Sequence, residues 1–132
     1  MDYCIINGVD LAKVGSMIFR VLEKDTKFFE KLFTPREISY CFGKKGDINQ
    51  ALSFTARLAA KGAVAKMLGL RTVEVREIEV VNNNLGKPEI KLYGEMEKIA
   101  LKIGLDPQNI SISLSDTDEL VVASAVALIK NS

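Results

Sequence analysis

The chain has 132 residues, 48% of them hydrophobic, and a formal net charge of +1. That length predicts one domain over residues 1–132 with material for a real core. The charge balance gives no electrostatic case for nucleic acid or an anionic membrane surface. The chain has no histidine, which removes Ser-His-Asp and Cys-His nucleophiles and every His-ligated zinc site. A metal here is a hard ion held by oxygens, and a base is a carboxylate, a lysine or water.

Taken in order, "YCIINGVDL" (3–11) is a short apolar run that predicts a buried strand. Val14, Met17, Ile18, Val21 and Leu22 recur at helical spacing and predict an amphipathic helix over about 13–24. "KFFEKLF" (27–33) predicts a short helical segment. "TPRE" then signals a helix start, with Thr34 as cap, Pro35 in the first turn and Glu37 closing a capping box. That helix is expected to reach Cys41 and to stop at "GKKG". "DINQ" repeats the pattern, with Asp47 as cap and Gln50 three residues on, and opens a long helix to Leu68 that Gly69 terminates.

The second half is β-rich. "VEVREIEVV" (73–81) and "EIKLYG" (89–94) predict strands joined by the turn "NNNLGKP". "EMEKIALKIG" predicts a short helix ending in glycine. "ISISL" (110–114) alternates as a half-buried strand does, "SDTDE" is a tight connection, and "LVVASAVALI" (120–129) is a buried strand whose small residues imply close approach by a helix or another subunit. The fold class is α+β, an antiparallel sheet packed on a long helix. No apolar run reaches the ~18 residues of a membrane span. The N-terminus lacks a basic n-region and cleavage site, so no signal peptide and a cytoplasmic location are expected. Cys4 and Cys41 match no metal or redox spacing and are expected as buried free thiols, with a disulfide second.

Asp10 lies between a predicted strand and a predicted helix. It suits either a magnesium ligand or a cap on that helix. Lys61 and Lys66, five apart, are expected as solvated lysines snorkelling over the core. "NNNLGKP" suits a surface turn, and "SLSDT" either binds a ligand or closes a hairpin. Gly62 has no reason in helix propensity, since an interior glycine costs about 1 kcal/mol relative to alanine.

Five segments in order carry a resemblance: "NGVDL", "KLFTPREISYC", "RLAAKGAVAKMLG", "IEVVNNNLGKPEIKL" and "ISISLSDT". Over nearly its whole length the chain resembles the holo-acyl-carrier-protein synthases, the small trimeric class of 4′-phosphopantetheinyl transferases. The resemblance implies that family's fold and its reaction, Mg²⁺-dependent transfer of phosphopantetheine from coenzyme A to a serine of acyl carrier protein. It implies a homotrimer with sites between subunits. The family's first metal aspartate falls on Asp10, assigned here to metal and catalysis with Lys66. Its second carboxylate, a glutamate, falls on Gly62. Coenzyme A contacts are implied for Arg57 and Lys61 on the long helix, for Gly86, Lys87 and Pro88 in the turn, and for Ser115 and Thr117. The family's phosphate-associated histidine falls on Asp116, whose charge repels a phosphate. An acidic residue falls on Lys13 and a carrier-docking arginine on Ser16, so carrier docking is expected to be weakened, with Arg20, Lys24 and Lys27 keeping the region basic. Losing the glutamate implies a slower enzyme, by on the order of 3 kcal/mol in the barrier; the alternative is a catalytically degenerate binding or structural trimer.

Overall fold

A computed structural model of the chain describes residues 2–130. The order is β1 (Tyr3–Lys13), α1 (Gly15–Glu23), α2 (Thr26–Leu32), α3 (Pro35–Phe42), α4 (Asp47–Met67), β2 (Ile78–Asn82), β3 (Pro88–Leu92), α5 (Gly94–Lys102), β4 (Ser111–Asp116) and β5 (Leu120–Lys130). The structure is α+β, as expected. Its strands form two antiparallel sheets rather than one: β1-β5-β4, and the separate hairpin β2-β3.

The long helix α4 packs against β1, β4 and β5 and also touches α1, α3 and β2. Small residues allow the close approach. Ala59, Ala60 and Ala63 on the helix, and Ala123 and Ala125 on β5, are fully buried. At Gly8 the β1 backbone lies directly on α4, and a Cβ there would collide with the Ala63 carbonyl and the Met67 amide. Below the helix, Phe29 stacks on Phe54 with ring centroids 4.3 Å apart, and Phe42 meets both rings edge-on at 5.2 and 5.0 Å. Burying a ring of this size stabilises the fold by about 1.5–3 kcal/mol.

The Thr34 capping box forms as expected: Thr34 Oγ1 accepts from the Glu37 amide and Glu37 Oε1 accepts from the Thr34 amide. Asp47 does not cap α4. Gly46, at φ +85°, takes the cap position, and Gln50 instead donates to the Phe42 and Lys44 carbonyls, tying down the preceding loop. Asp10 does not cap α1, because β1 continues past it to Lys13 and Val14 holds the cap position. Of the run 73–81, only the part from Ile78 onward is strand; residues 75–77 form a 3-10 turn. That turn brings Glu77 Oε1 to the Glu95 and Met96 amides at 3.0 and 3.4 Å, where a carboxylate satisfies free donors and the positive end of the α5 dipole. Cys41 is buried and Cys4 is exposed; both are free thiols.

Candidate functional site

The site residues hang from two sides of α4. Residues 57 and 61 are one turn apart and face α3 and the β2-β3 hairpin. Residues 62 and 66 are also one turn apart, rotated about 140° from the first pair, and face β1.

On the β1 side, strand alternation points Asp10 inward with Gly8, toward the helix. Lys66 Nζ donates to Asp10 Oδ1 at 3.0 Å. Asp10 Oδ2 occupies the space that a Cβ at residue 62 would need. Gly62 is thus explained by close approach: the carboxylate lies on a bare Cα. Metal binding at this point requires donors, and the set is poor. Among the described residues no three His, Cys, Asp or Glu side chains gather to hold a metal ion. Asp10 brings a carboxylate to this point, and an ammonium already sits on it. Two like unit charges 4 Å apart repel by about 4 kcal/mol at the effective dielectric of a protein surface, and a divalent ion beside Lys66 doubles the charge product. These residues do not fit a magnesium ion as they stand.

On the other side, Lys61 was expected as a solvated lysine, and the structure corrects this. Its side chain is 0% exposed. Its ammonium donates to Glu37 Oε1 at 2.7 Å and to the Val75 carbonyl at 3.0 Å, and lies over the Phe33 ring. Glu37 Oε2 accepts from the Val80 amide at 2.9 Å. Burial pushes the Lys61 pKa down, and Glu37 works against that shift. Lys61 ties α4 to α3 and to the 3-10 turn at Val75, and its side chain is wholly buried.

Arg57, one turn earlier, faces a cleft. Its guanidinium lies over the Tyr40 ring at 4.1 Å, and the Lys44 ammonium approaches the same ring at 4.6 Å. Arg57 Nη2 donates to Asn82 Oδ1 at 2.6 Å, and Asn82 Nδ2 donates onward to the Gly86 carbonyl at 2.9 Å. Arg57 Nε is buried with no hydrogen-bond partner among the described residues. The cleft holds about 400 Å³ and is lined by Tyr40, Lys44, Lys45, Ser53, Arg57 and Asp116, among others. Three cations with a planar guanidinium suit a phosphate group; the Asp116 carboxylate opposes them at one wall.

The turn of the hairpin is built by Asn83, whose Oδ1 accepts from the Leu85 and Lys87 amides at 2.9 and 3.0 Å. Gly86 sits at φ +80°, a conformation that favours glycine. Lys87 and Pro88 line a separate groove of about 510 Å³. Ser115 is exposed on the face of β4 opposite to Asp116. Thr117 Oγ1 accepts from the Glu119 and Leu120 amides, so it closes the β4-β5 turn.

Within the chain, Arg57 is brought to the Gly86 turn and Asp10 to Lys66. Asn82, Tyr40, Lys44 and Lys45 were not singled out from the sequence as site residues. The paired lysines of "GKKG" were a visible signal, read only as a helix stop; Asn82 gave none, being one of three asparagines in a turn.

The 4′-phosphopantetheinyl transferase superfamily model matches residues 7–123. The chain is 40% identical over 122 residues to the holo-[acyl-carrier-protein] synthase of Geotalea daltonii, covering 90% of this chain and 94% of that protein. The holo-ACP-synthase structure from Plasmodium yoelii superposes with a TM-score of 0.81 at 30% identity, covering 99% of this chain and 100% of that one. A Bacillus anthracis holo-(acyl-carrier-protein) synthase in complex with CoA (3′,5′-ADP) superposes with a TM-score of 0.72 at 25% identity, covering 96% and 100%. The chain belongs to the 4′-phosphopantetheinyl transferase superfamily, among the holo-[acyl-carrier-protein] synthases.

Proposed function

We propose that this protein is a cytoplasmic homotrimer that transfers 4′-phosphopantetheine from coenzyme A to a serine of acyl carrier protein. The observation that carries the reading is the cationic cleft of Arg57, Lys44 and Lys45 at Tyr40, joined through Asn82 to the Gly86 turn. It supports a ligand with a phosphate at the cleft and its adenosine along Gly86, Lys87 and Pro88. Arg57 Nε is a buried donor still to be satisfied, and burial makes an unpaired donor costly.

In the reaction the serine oxygen forms a bond to the phosphorus that carries pantetheine. The bridging P–O bond breaks and 3′,5′-ADP leaves with the electron pair. Lys66 faces the phosphates and offsets the charge that develops. Asp10 holds Lys66 in place and accepts the serine proton. Ser115 and Thr117 are taken as further coenzyme A contacts on the strength of the resemblance.

Trimer assembly is supported by the outer face of the β1-β5-β4 sheet. Ile5, Val9 and Leu11 are exposed there beside Val122, Val126 and Leu128, and the register pairs Ile5 with Leu128 and Leu11 with Val122. A contiguous exposed apolar face of this kind marks an interaction surface. The carrier is assigned to the α1-α2 corner, where Lys13, Ser16, Met17, Arg20 and Phe28 line a depression. Arg20 is already tied to Asp25 at 2.6 Å and stacked on Phe28, which leaves less free positive charge than its sequence suggests. Docking is accordingly weak.

The test is mass spectrometry of an apo acyl carrier protein incubated with this protein and coenzyme A, with and without Mg²⁺. A 4′-phosphopantetheine adduct on the carrier serine is the expected product. An unmodified carrier alongside retained coenzyme A binding would leave the degenerate binding protein as the better account.

A further inference from the structure

At the crossing of β1 over α4, the charges balance without help from outside. Lys66 and Asp10 form one ion pair, and Gly62 contributes no carboxylate. A second carboxylate at residue 62 would leave the crossing net negative, a surface that repels a pyrophosphate unless a divalent cation sits between them. With glycine there, the ammonium itself is available to a phosphate. Lys66 is 59% exposed and Asp10 28% exposed, so the pair is open to a ligand on the Lys66 side. Glu37 and Glu79, on the other side of α4, are committed: Glu37 is sealed by Lys61, and Glu79 accepts from Thr34 and Tyr93. Among the described residues no third carboxylate, histidine or cysteine joins Asp10 in a metal-holding group.

We infer that Lys66, seated on Asp10 above Gly62, stands in for a divalent cation, so that this chain binds the pyrophosphate of coenzyme A without metal. The inference rests on coenzyme A being the ligand. It assigns Gly62 a function: the glycine lets Asp10 lie flat on α4 and present Lys66, and it removes the charge that would demand a metal.

The test is titration calorimetry on the full chain. Coenzyme A is titrated in EDTA and in Mg²⁺, and Mn²⁺ is titrated alone. The expected results are equal coenzyme A affinity in the two buffers, no measurable Mn²⁺ binding, and a loss of about tenfold or more in coenzyme A affinity in EDTA for Lys66→Met. Gly62→Glu, whose side chain must displace the Asp10 carboxylate, is expected to bind Mn²⁺ and to make coenzyme A binding metal-dependent. If that variant does not fold, the wild-type and Lys66→Met titrations decide alone. Tightening of wild-type coenzyme A binding by about tenfold with Mg²⁺, wild-type Mn²⁺ binding, or unchanged affinity in Lys66→Met each overturns the inference while leaving the transferase reading intact. Absence of coenzyme A binding in both buffers overturns that reading and this inference with it.

Discussion

Lys61 and Lys66 project from opposite sides of the last turns of one helix, and each meets a carboxylate, at 2.7 and 3.0 Å. Around Lys61 both side chains are 0% exposed, and the Glu37 carboxylate also takes hydrogen bonds from the Thr34 and Val80 amides. Around Lys66 the partners are 59% and 28% exposed, and beyond the ammonium Asp10 rests on the bare Cα of Gly62. A buried charge is tolerated only in a closed network, because its desolvation is costly. A half-exposed pair is worth little to the fold and can change partners. The same residue type, five positions apart, is a structural bolt in one place and half of an open, exchangeable ion pair in the other.

Lys61→Met is the strongest test of that division. It strands a buried carboxylate and is expected to cost about 3–5 kcal/mol in urea unfolding. Adding Glu37→Gln recovers part of the loss by removing the stranded charge. Gly8→Ala comes next. The new methyl meets helix backbone, which cannot swing aside, and a cost of about 1–3 kcal/mol is expected as a lower melting temperature. In Gly62→Ala the nearest atoms to the new methyl are those of the Asp10 side chain. The gain of about 1 kcal/mol in helix propensity offsets the displaced ion pair, so its stability changes less than that of Gly8→Ala. Lys66→Met is expected to shift stability by no more than about 1 kcal/mol. A larger cost than that of Lys61→Met would reverse the comparison.

The sequence made the helices legible where their signals are local. The Thr34-Pro35-Glu37 start and the apolar spacing of α1 depend on neighbours within a turn. It misplaced what distant partners decide. Residues 73–77 alternate as a strand does, yet Glu77 is drawn to the start of α5. Asp47 has the type of a cap, yet Gly46 takes the required backbone angle. Asp10 and Arg57 are assigned to the site only through the family resemblance of their segments. Lys61 looked like Lys66, because only the partner Glu37, 24 residues away in the chain, distinguishes them. The Arg57–Asn82–Gly86 chain was invisible for the same reason: its links join a helix to a turn through side chains with no periodic signature.

The smallest effect expected lies at the solvent end of the Lys61 network. Tyr93 donates to Glu79 Oε1 at 2.8 Å, and Glu79 Oε2 accepts from Thr34 Oγ1 at 2.6 Å, the same hydroxyl that caps Glu37. Burial, and then the hydrogen bond and charge of Glu79, raise the Tyr93 pKa above its ordinary 10.0. The folded protein therefore keeps a proton that the unfolded chain releases. That contribution to stability is fully present below pH 10.0 and is lost as pH rises through the higher folded value. Urea unfolding on either side of that pH should show the decline, and Tyr93→Phe should flatten the part of it that this phenol contributes. An alkaline slope left unchanged by Tyr93→Phe would mean that the Tyr93–Glu79 contact does not couple this phenol to folding.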